Sequence, residues 1–164
     1  KGVFDQYMKG PNQLSVLRND VAVTRDDFVS VPKGMITEAG LRTNIRVGIQ
    51  YLDAWLKGNG CVPINNLMED AATAEICRTQ LWQWFKHGAQ LEDGRRIDTA
   101  LLVDVCYDEL KKTGKKDELM ETATVFMGLV ASSEFPEFLT SALYDRIVSY
   151  SFLKGSDGCE ECCA

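Results

Sequence analysis

The sequence predicts an all-α fold, a helical bundle of four to five helices. Apolar residues recur at three- and four-residue steps over several long segments, the period of a helix with one buried face. Glycine, aspartate and proline punctuate the ends of those segments, as helix starts and stops require. The period-two alternation of β-branched residues that marks half-buried strands is nearly absent.

Residues 1–34 read as a connector, because short apolar stretches alternate with the turn-forming strings GPNQ, RND and VPKG. The chain opens on Lys1 rather than Met, and KGVFDQYMKGPNQ reads as the end of a helix already under way. The 164 residues are therefore expected to belong to a longer protein. Residues 35–153 are the expected helical domain. In TEAGLRTNIRVGIQYLDAWLKGNG, Leu41, Ile45, Gly48, Ile49, Leu52, Trp55 and Leu56 form one stripe, and Gly58 and Gly60 stop it.

A loop ending at Met68 leads to a helix predicted over 69–87. Its apolar face holds Cys77, Leu81, Trp84 and Phe85, and Gly88 marks its stop. After the charged turn AQLEDGRRI, Asp98 stands as the N-cap of TALLVDVCYDELKKT, closed by Gly114. The next helix covers 116–131, with Leu119, Ala123, Phe126, Met127 and Val130 on its buried side. PEFLTSALYDRIVSYSF is the last, with Pro136 at a first-turn position. Residues 154–164 form a Cys-rich tail, expected to be disordered.

A net charge of −6 argues against a nucleic-acid or anionic-membrane surface, which needs clustered Lys and Arg. No apolar run is long enough to span a bilayer. Cys77 and Cys106 fall on apolar helix faces, where a thiol acts as a small core hydrophobe. Cys61 lies in a Gly-rich loop, and Cys159, Cys162 and Cys163 crowd the tail. This spacing suits no disulfide framework and indicates a reducing compartment. The lone C-x-x-C has neither a second pair nor a nearby His, so no metal ligands are assigned in this chain. His87 is the single histidine and sits in a last helical turn; with no matching partner it excludes Ser-His-Asp and Cys-His catalysis. Trp55, Trp82 and Trp84 read as packing residues.

One stretch stands apart. NNLMEDAATAEICR sets Glu69 and Asp70 side by side where a helix begins. By spacing alone they are first-turn acids, which meet unpaired N–H groups and the positive end of the helix dipole. The longer string GNGCVPINNLMEDAATAEICRTQLWQWFKHG, however, resembles the C-terminal helical domain of A-type malate synthases. TEAGLRTNIRVGIQYLDAWLKGNG resembles the helix that precedes this motif in the family, GPNQLSVLRND the stretch just after its barrel, and PEFLTSALYDRIV its closing helix. The resemblance covers nearly the whole chain.

The resemblance implies a plug domain that caps a TIM barrel absent from this chain. It implies an acyltransferase of the glyoxylate cycle that joins acetyl-CoA to glyoxylate, releasing malate and CoA after hydrolysis. The aspartate of the MED triplet, Asp70, is then the general base. Met68 and Glu69 would lie beside the acetyl-CoA tail, and Cys61 would match a loop cysteine near the cofactor entrance. Mg²⁺ and a catalytic arginine belong to the barrel in this family, so the isolated chain is expected to be inactive. The implied partners are acetyl-CoA, glyoxylate and the barrel domain of the same enzyme. The terminal Cys-Cys-Ala differs from a Ser-Lys-Leu address, so cytoplasm is the expectation and peroxisome or glyoxysome the alternative.

Chemistry accounts for the residue type. A thioester methyl is a very weak carbon acid and a carboxylate a feeble base, so proton abstraction needs the enolate oxygen stabilised as it forms. A base carried on a separate domain can approach the methyl from the far side, and closure excludes water from the enolate. The competing expectation is a non-catalytic helical interaction module that docks on a barrel or another protein.

Overall fold

The computed structural model describes residues 1–8 and 10–155. Its contacts divide the chain into two compact units, Lys1–Gly34 and Met35–Ala164. In the first, the helices Gly2–Tyr7 (α1) and Arg25–Val29 (α2) flank a 3-10 turn at Gln13–Ser15, and neither helix buries a residue. Local capping defines α2. The Thr24 hydroxyl accepts from the Asp27 amide, and the Asp27 carboxylate accepts from the Thr24 amide. Both helices are too short to show a periodic stripe in the sequence.

Among the described residues the second unit holds five longer helices: Glu38–Leu56 (α3), Ala71–Lys86 (α4), Thr99–Lys112 (α5), Lys116–Ala131 (α6) and Leu139–Gly155 (α7). The fold is mostly helical, as the sequence predicts, with one small addition: a two-stranded sheet of Val62–Ile64 (β1) and Leu67–Glu69 (β2). Among the described residues no helix is long and apolar enough to cross a membrane.

Helix α3 is the hub and packs against α4, α5 and α6. Thr37 caps it, accepting from the Gly40 amide at 3.0 Å. The predicted stripe of Leu41, Ile45, Ile49 and Leu52 is fully buried, with Trp55 and Leu56 packed at its edge. Asn44, Val47 and Tyr51 are buried too, so α3 meets partners on more than one side. Asn44 spends its amide on Gln80 of α4, at 2.8 Å. Gly48 lets α6 approach, since a Cβ there would lie 2.3 Å from the Phe126 ring.

Polar groups lock α3 to α5. Glu109 is 1% exposed and accepts from Arg42 at 3.1 Å, Arg46 at 3.2 Å and Lys112 at 2.7 Å. Arg42 also binds Glu38 at 2.7 Å. Burial alone would raise the Glu109 carboxyl, but these cations outweigh it and hold the pKa below the usual 4.5.

Three expectations are corrected. The helix predicted over 69–87 starts at Ala71 and ends at Lys86, because the chain before Ala71 is paired as a strand. Pro136 is not in a first turn: α7 begins at Leu139, and the Pro136 carbonyl is instead engaged by Arg78. The loop ending at Met68 is a hairpin. Asp98 and α5 meet their prediction, with the Asp98 carboxylate accepting from the Leu101 amide at 2.9 Å and Gly114 at φ 69° just past the helix end. Residues 156–164, with their C-x-x-C, lie outside the described residues.

Two outcomes follow. Gly48→Ala gains helix propensity of about 1 kcal/mol. It also drives a methyl into the fully buried Phe126, and overpacking of this kind costs about 1–3 kcal/mol. Because the nearest contact is so short, the clash wins, and thermal denaturation will show a lower midpoint. The second concerns Glu109, whose folded pKa is depressed. Its contribution is fully present above the unfolded glutamate pKa and is lost as pH falls toward the folded value. Urea midpoints measured on acidification will therefore fall less steeply for Glu109→Gln than for the native chain.

Candidate functional site: an acid at a hairpin-to-helix junction

Strands β1 and β2 pair antiparallel, with Val62 opposite Glu69, Pro63 opposite Met68 and Ile64 opposite Leu67. This register leaves Asn65 and Asn66 as a two-residue turn, at φ 51° and 64°. Left-handed conformations at both positions make a type I′ turn, whose twist suits a hairpin and which asparagine tolerates well. Ile64 anchors the tip in the core at 4% exposure. The last pair, Val62 with Glu69, leaves Cys61 and Asp70 as the residues that flank the open end of the hairpin.

Asp70 ends the hairpin and starts α4. Its backbone is extended, and its Oδ1 accepts from the Ala72 amide at 2.9 Å and the Thr73 amide at 3.3 Å. Asp70 is therefore the N-cap, and Glu69 is a strand residue rather than part of the first turn. Both bonds fall on Oδ1. Among the described residues Oδ2 accepts no hydrogen bond, and the residue is exposed. An extended chain alternates its side chains, so Met68 and Asp70 fall on one face and Glu69 on the other. Glu69 is half-buried, toward α4. Burial, aided by the Glu69 charge, pushes the Cys77 thiol up to about 11. Cys77 is thus an inert core thiol, as is Cys106, which burial also pushes up to about 11. Cys61 is a free, exposed thiol.

The four residues singled out in the sequence, Cys61, Met68, Glu69 and Asp70, therefore share one hairpin and its exit. The side that carries Met68 and Asp70 is open, with Met68 exposed at 69%; Leu67 at 63%, on the alternate side of the strand, and Ile76 at 58% leave further uncovered apolar surface on the hairpin and the early turns of α4. Two clefts of the helical unit, of about 510 and 480 Å³, include none of these four: Arg146 and Thr122 line one, and Arg46, Lys112 and the β1 residues Val62–Ile64 line the other. Among the described residues no group of three or more His, Cys, Asp or Glu could hold a metal ion. The Mg²⁺ implied by the resemblance has no seat among them.

Three residues that the sequence reading passed over, Arg78, Glu75 and Tyr51, hold this junction in place together with Trp82. Arg78 is fully buried in α4; it donates to the Pro136 carbonyl at 3.0 and 3.1 Å and to Glu75 at 2.6 and 3.0 Å. Its guanidinium also lies 4.0 Å from the Phe135 ring centroid. Glu75 in turn accepts from the Leu139 amide at 2.7 Å, so one helix caps the start of another. Trp82 donates to the Ser132 carbonyl at 2.9 Å, tying α4 to the same segment. Tyr51 of α3 is fully buried, and its hydroxyl donates to the Gly60 carbonyl at 2.9 Å. Burial raises the Tyr51 pKa, and the charges of Asp70 and Cys61 raise it further, which places its hydroxyl within electrostatic reach of both. The signal for Arg78 was its i,i+3 spacing from Glu75 within an apolar stripe; for Tyr51 it was a phenol at a core position, whose hydroxyl must find a partner.

The fold and this junction define a helical domain that exposes an acid on an open face rather than enclosing it in a pocket. The family described as malate synthase, C-terminal, matches residues 35–147. The chain belongs to that family. It is 50% identical over 155 residues to a malate synthase of Myxococcus xanthus (strain DK1622), covering 90% of this chain and 29% of that protein. A bifunctional glyoxylate cycle protein of Caenorhabditis elegans is 45% identical over 157 residues, with 93% and 16% covered. A glyoxysomal malate synthase of Candida tropicalis is 43% identical over 155 residues, with 90% and 28% covered. The chain thus spans less than a third of the length of these relatives.

Arg78→Met keeps the apolar bulk but removes a buried cation and leaves the Pro136 carbonyl without its donor. Breaking such a pair costs about 3 kcal/mol. Urea denaturation should show that loss, with Trp82 fluorescence reporting release of the 132–138 segment.

Proposed function

We propose that this chain supplies the general base of a malate synthase, as part of a longer polypeptide, and that the base is Asp70. The observation that carries the reading is the Asp70 carboxylate itself: fixed through Oδ1 by two helix amides, exposed, and open at Oδ2. Membership of the malate synthase C-terminal family supports the reaction class.

In this reading Asp70 Oδ2 takes a proton from the acetyl methyl of acetyl-CoA. The electron pair left on carbon delocalises onto the thioester oxygen as an enolate. The enolate carbon then attacks the aldehyde carbon of glyoxylate, forming the new C–C bond as the C=O pair moves onto the aldehyde oxygen, and that alkoxide takes up a proton to become the malate hydroxyl. Water cleaves the thioester, releasing malate and CoA. The positive charge that stabilises the enolate and holds glyoxylate must come from residues outside those described here, with the barrel domain as their source. Asp70 needs no rotamer search during the step, because the cap bonds already orient it. The exposed Leu67 and Met68 would be covered by the acetyl-CoA arm and the facing domain, and Cys61 would stand beside the same arm. The glyoxysomal naming of the Candida relative supports the peroxisomal alternative to a cytoplasmic location.

Asp70→Asn separates the base from the cap. Asparagine caps a helix about as well as aspartate, so stability should change by less than about 0.5 kcal/mol. Removing the base should lower turnover by roughly 10²–10⁴ in the full-length enzyme, with glyoxylate binding retained. Near-native malate formation by this variant, followed by release of free CoA thiol, would refute the assignment and leave Asp70 as a cap on a non-catalytic interaction module.

A further inference from the structure

We propose that Tyr51 is a positioning residue for the base: its hydroxyl fixes the root of the hairpin that delivers Asp70. The inference rests on the reading of Asp70 as the base, and it assigns a role to a residue on a different helix from the acid.

The chain leaves α3 through Gly58, at φ 93°, and reaches β1 through Gly60 and Cys61. Two glycines in this short passage give it wide backbone freedom. A hairpin of two three-residue strands is marginal by itself. Its tip is held by buried Ile64 and its exit by α4. Its root is held by Tyr51, whose hydroxyl donates to the Gly60 carbonyl at 2.9 Å from a fully buried ring. Since Val62, two residues after Gly60, pairs with Glu69, the residue before Asp70, the strand that starts at this root is the one against which the acid's own strand is registered. A shift at Gly60 passes through the ladder to Glu69 and Asp70. Proton abstraction is sensitive to such displacement, since a misplacement of about 1 Å can cost roughly a hundredfold in rate.

Tyr51→Phe is the test, because it keeps the buried ring and removes only the donor. In the 164-residue chain, amide exchange across residues 62–69 should quicken about tenfold, while α3 and α6 amides keep their protection. In the full-length enzyme, kcat and the exchange of acetyl-CoA methyl protons with solvent should both fall about tenfold, the weight of one lost hydrogen bond. The KM for glyoxylate should stay unchanged, a split that general destabilisation would not produce. Unaltered hairpin exchange, or a looser hairpin with native kcat, overturns the proposal. Asp70→Asn is run alongside. If that variant keeps its turnover, the base assignment falls first, and the amide exchange alone decides whether Tyr51 holds the hairpin.

Discussion

Two hydrogen bonds from backbone amides to one carboxylate oxygen set the geometry on which this structure turns. They stop a hairpin, start a helix and fix the direction in which Asp70 presents its second oxygen. The unpaired amides of a helix N-terminus would seek an acceptor in any sequence. Here the acceptor is an exposed acid at the end of a strand, so one side chain satisfies a structural demand and keeps an unused lone-pair face. A residue inside the first turn would be carried around by the helix. An N-cap with extended backbone is aimed by the strand before it, so the hairpin sets the direction of the acid.

The remainder of the helical unit serves to hold that strand–helix corner still. Helix α3 lies at the centre and carries the hydroxyl that grips Gly60, while the Glu75–Arg78 pair fastens α4 to the segment leading into α7. These ties are polar and partly buried, and their donors and acceptors are paired, which is the condition under which such groups specify one arrangement instead of destabilising it. The Glu109 cluster also ties α3 to α5, with Arg46 Nε buried there without a hydrogen-bond partner among the described residues. Apolar packing brings the helices together. The polar ties then choose their registers.

The helical class was legible because long stripes of period 3.6 leave a strong trace: the stripe of α3 and the caps at Asp98 and Gly114 lie where the sequence puts them. The hairpin was not, for a physical reason. Strands of three residues are too short for alternation, and one of them includes Pro63, which weakens any strand reading. The Asn65–Asn66 pair was the available signal, a turn that only becomes specific once both residues are seen at positive φ. The candidate site residues were singled out by a motif, which gives positions in the chain and no geometry. Nothing in LMED distinguishes a first-turn acid from a strand-terminal cap. Tyr51 escaped notice because burial hides which backbone carbonyl a phenol will meet; that depends on a loop folding back over nine residues of sequence.

On the proposed reading, the openness of the face carries its own argument. An enolate in contact with water is reprotonated before it can meet an aldehyde, so a base as accessible as Asp70 is in this structure cannot be in its reacting state. The water must be displaced by something that fits over Asp70 and the exposed Met68 beside it, whose uncovered apolar surface is a cost until it is buried. The same side chain that makes the exposed state unfavourable thus supplies free energy for closing it. On this reading closure would bring the carboxylate to the methyl and strip its solvent in a single motion, with the acid aligned beforehand by its two cap bonds. A base delivered in this way needs a rigid carrier more than a deep pocket, and a hub helix with three packed neighbours provides one.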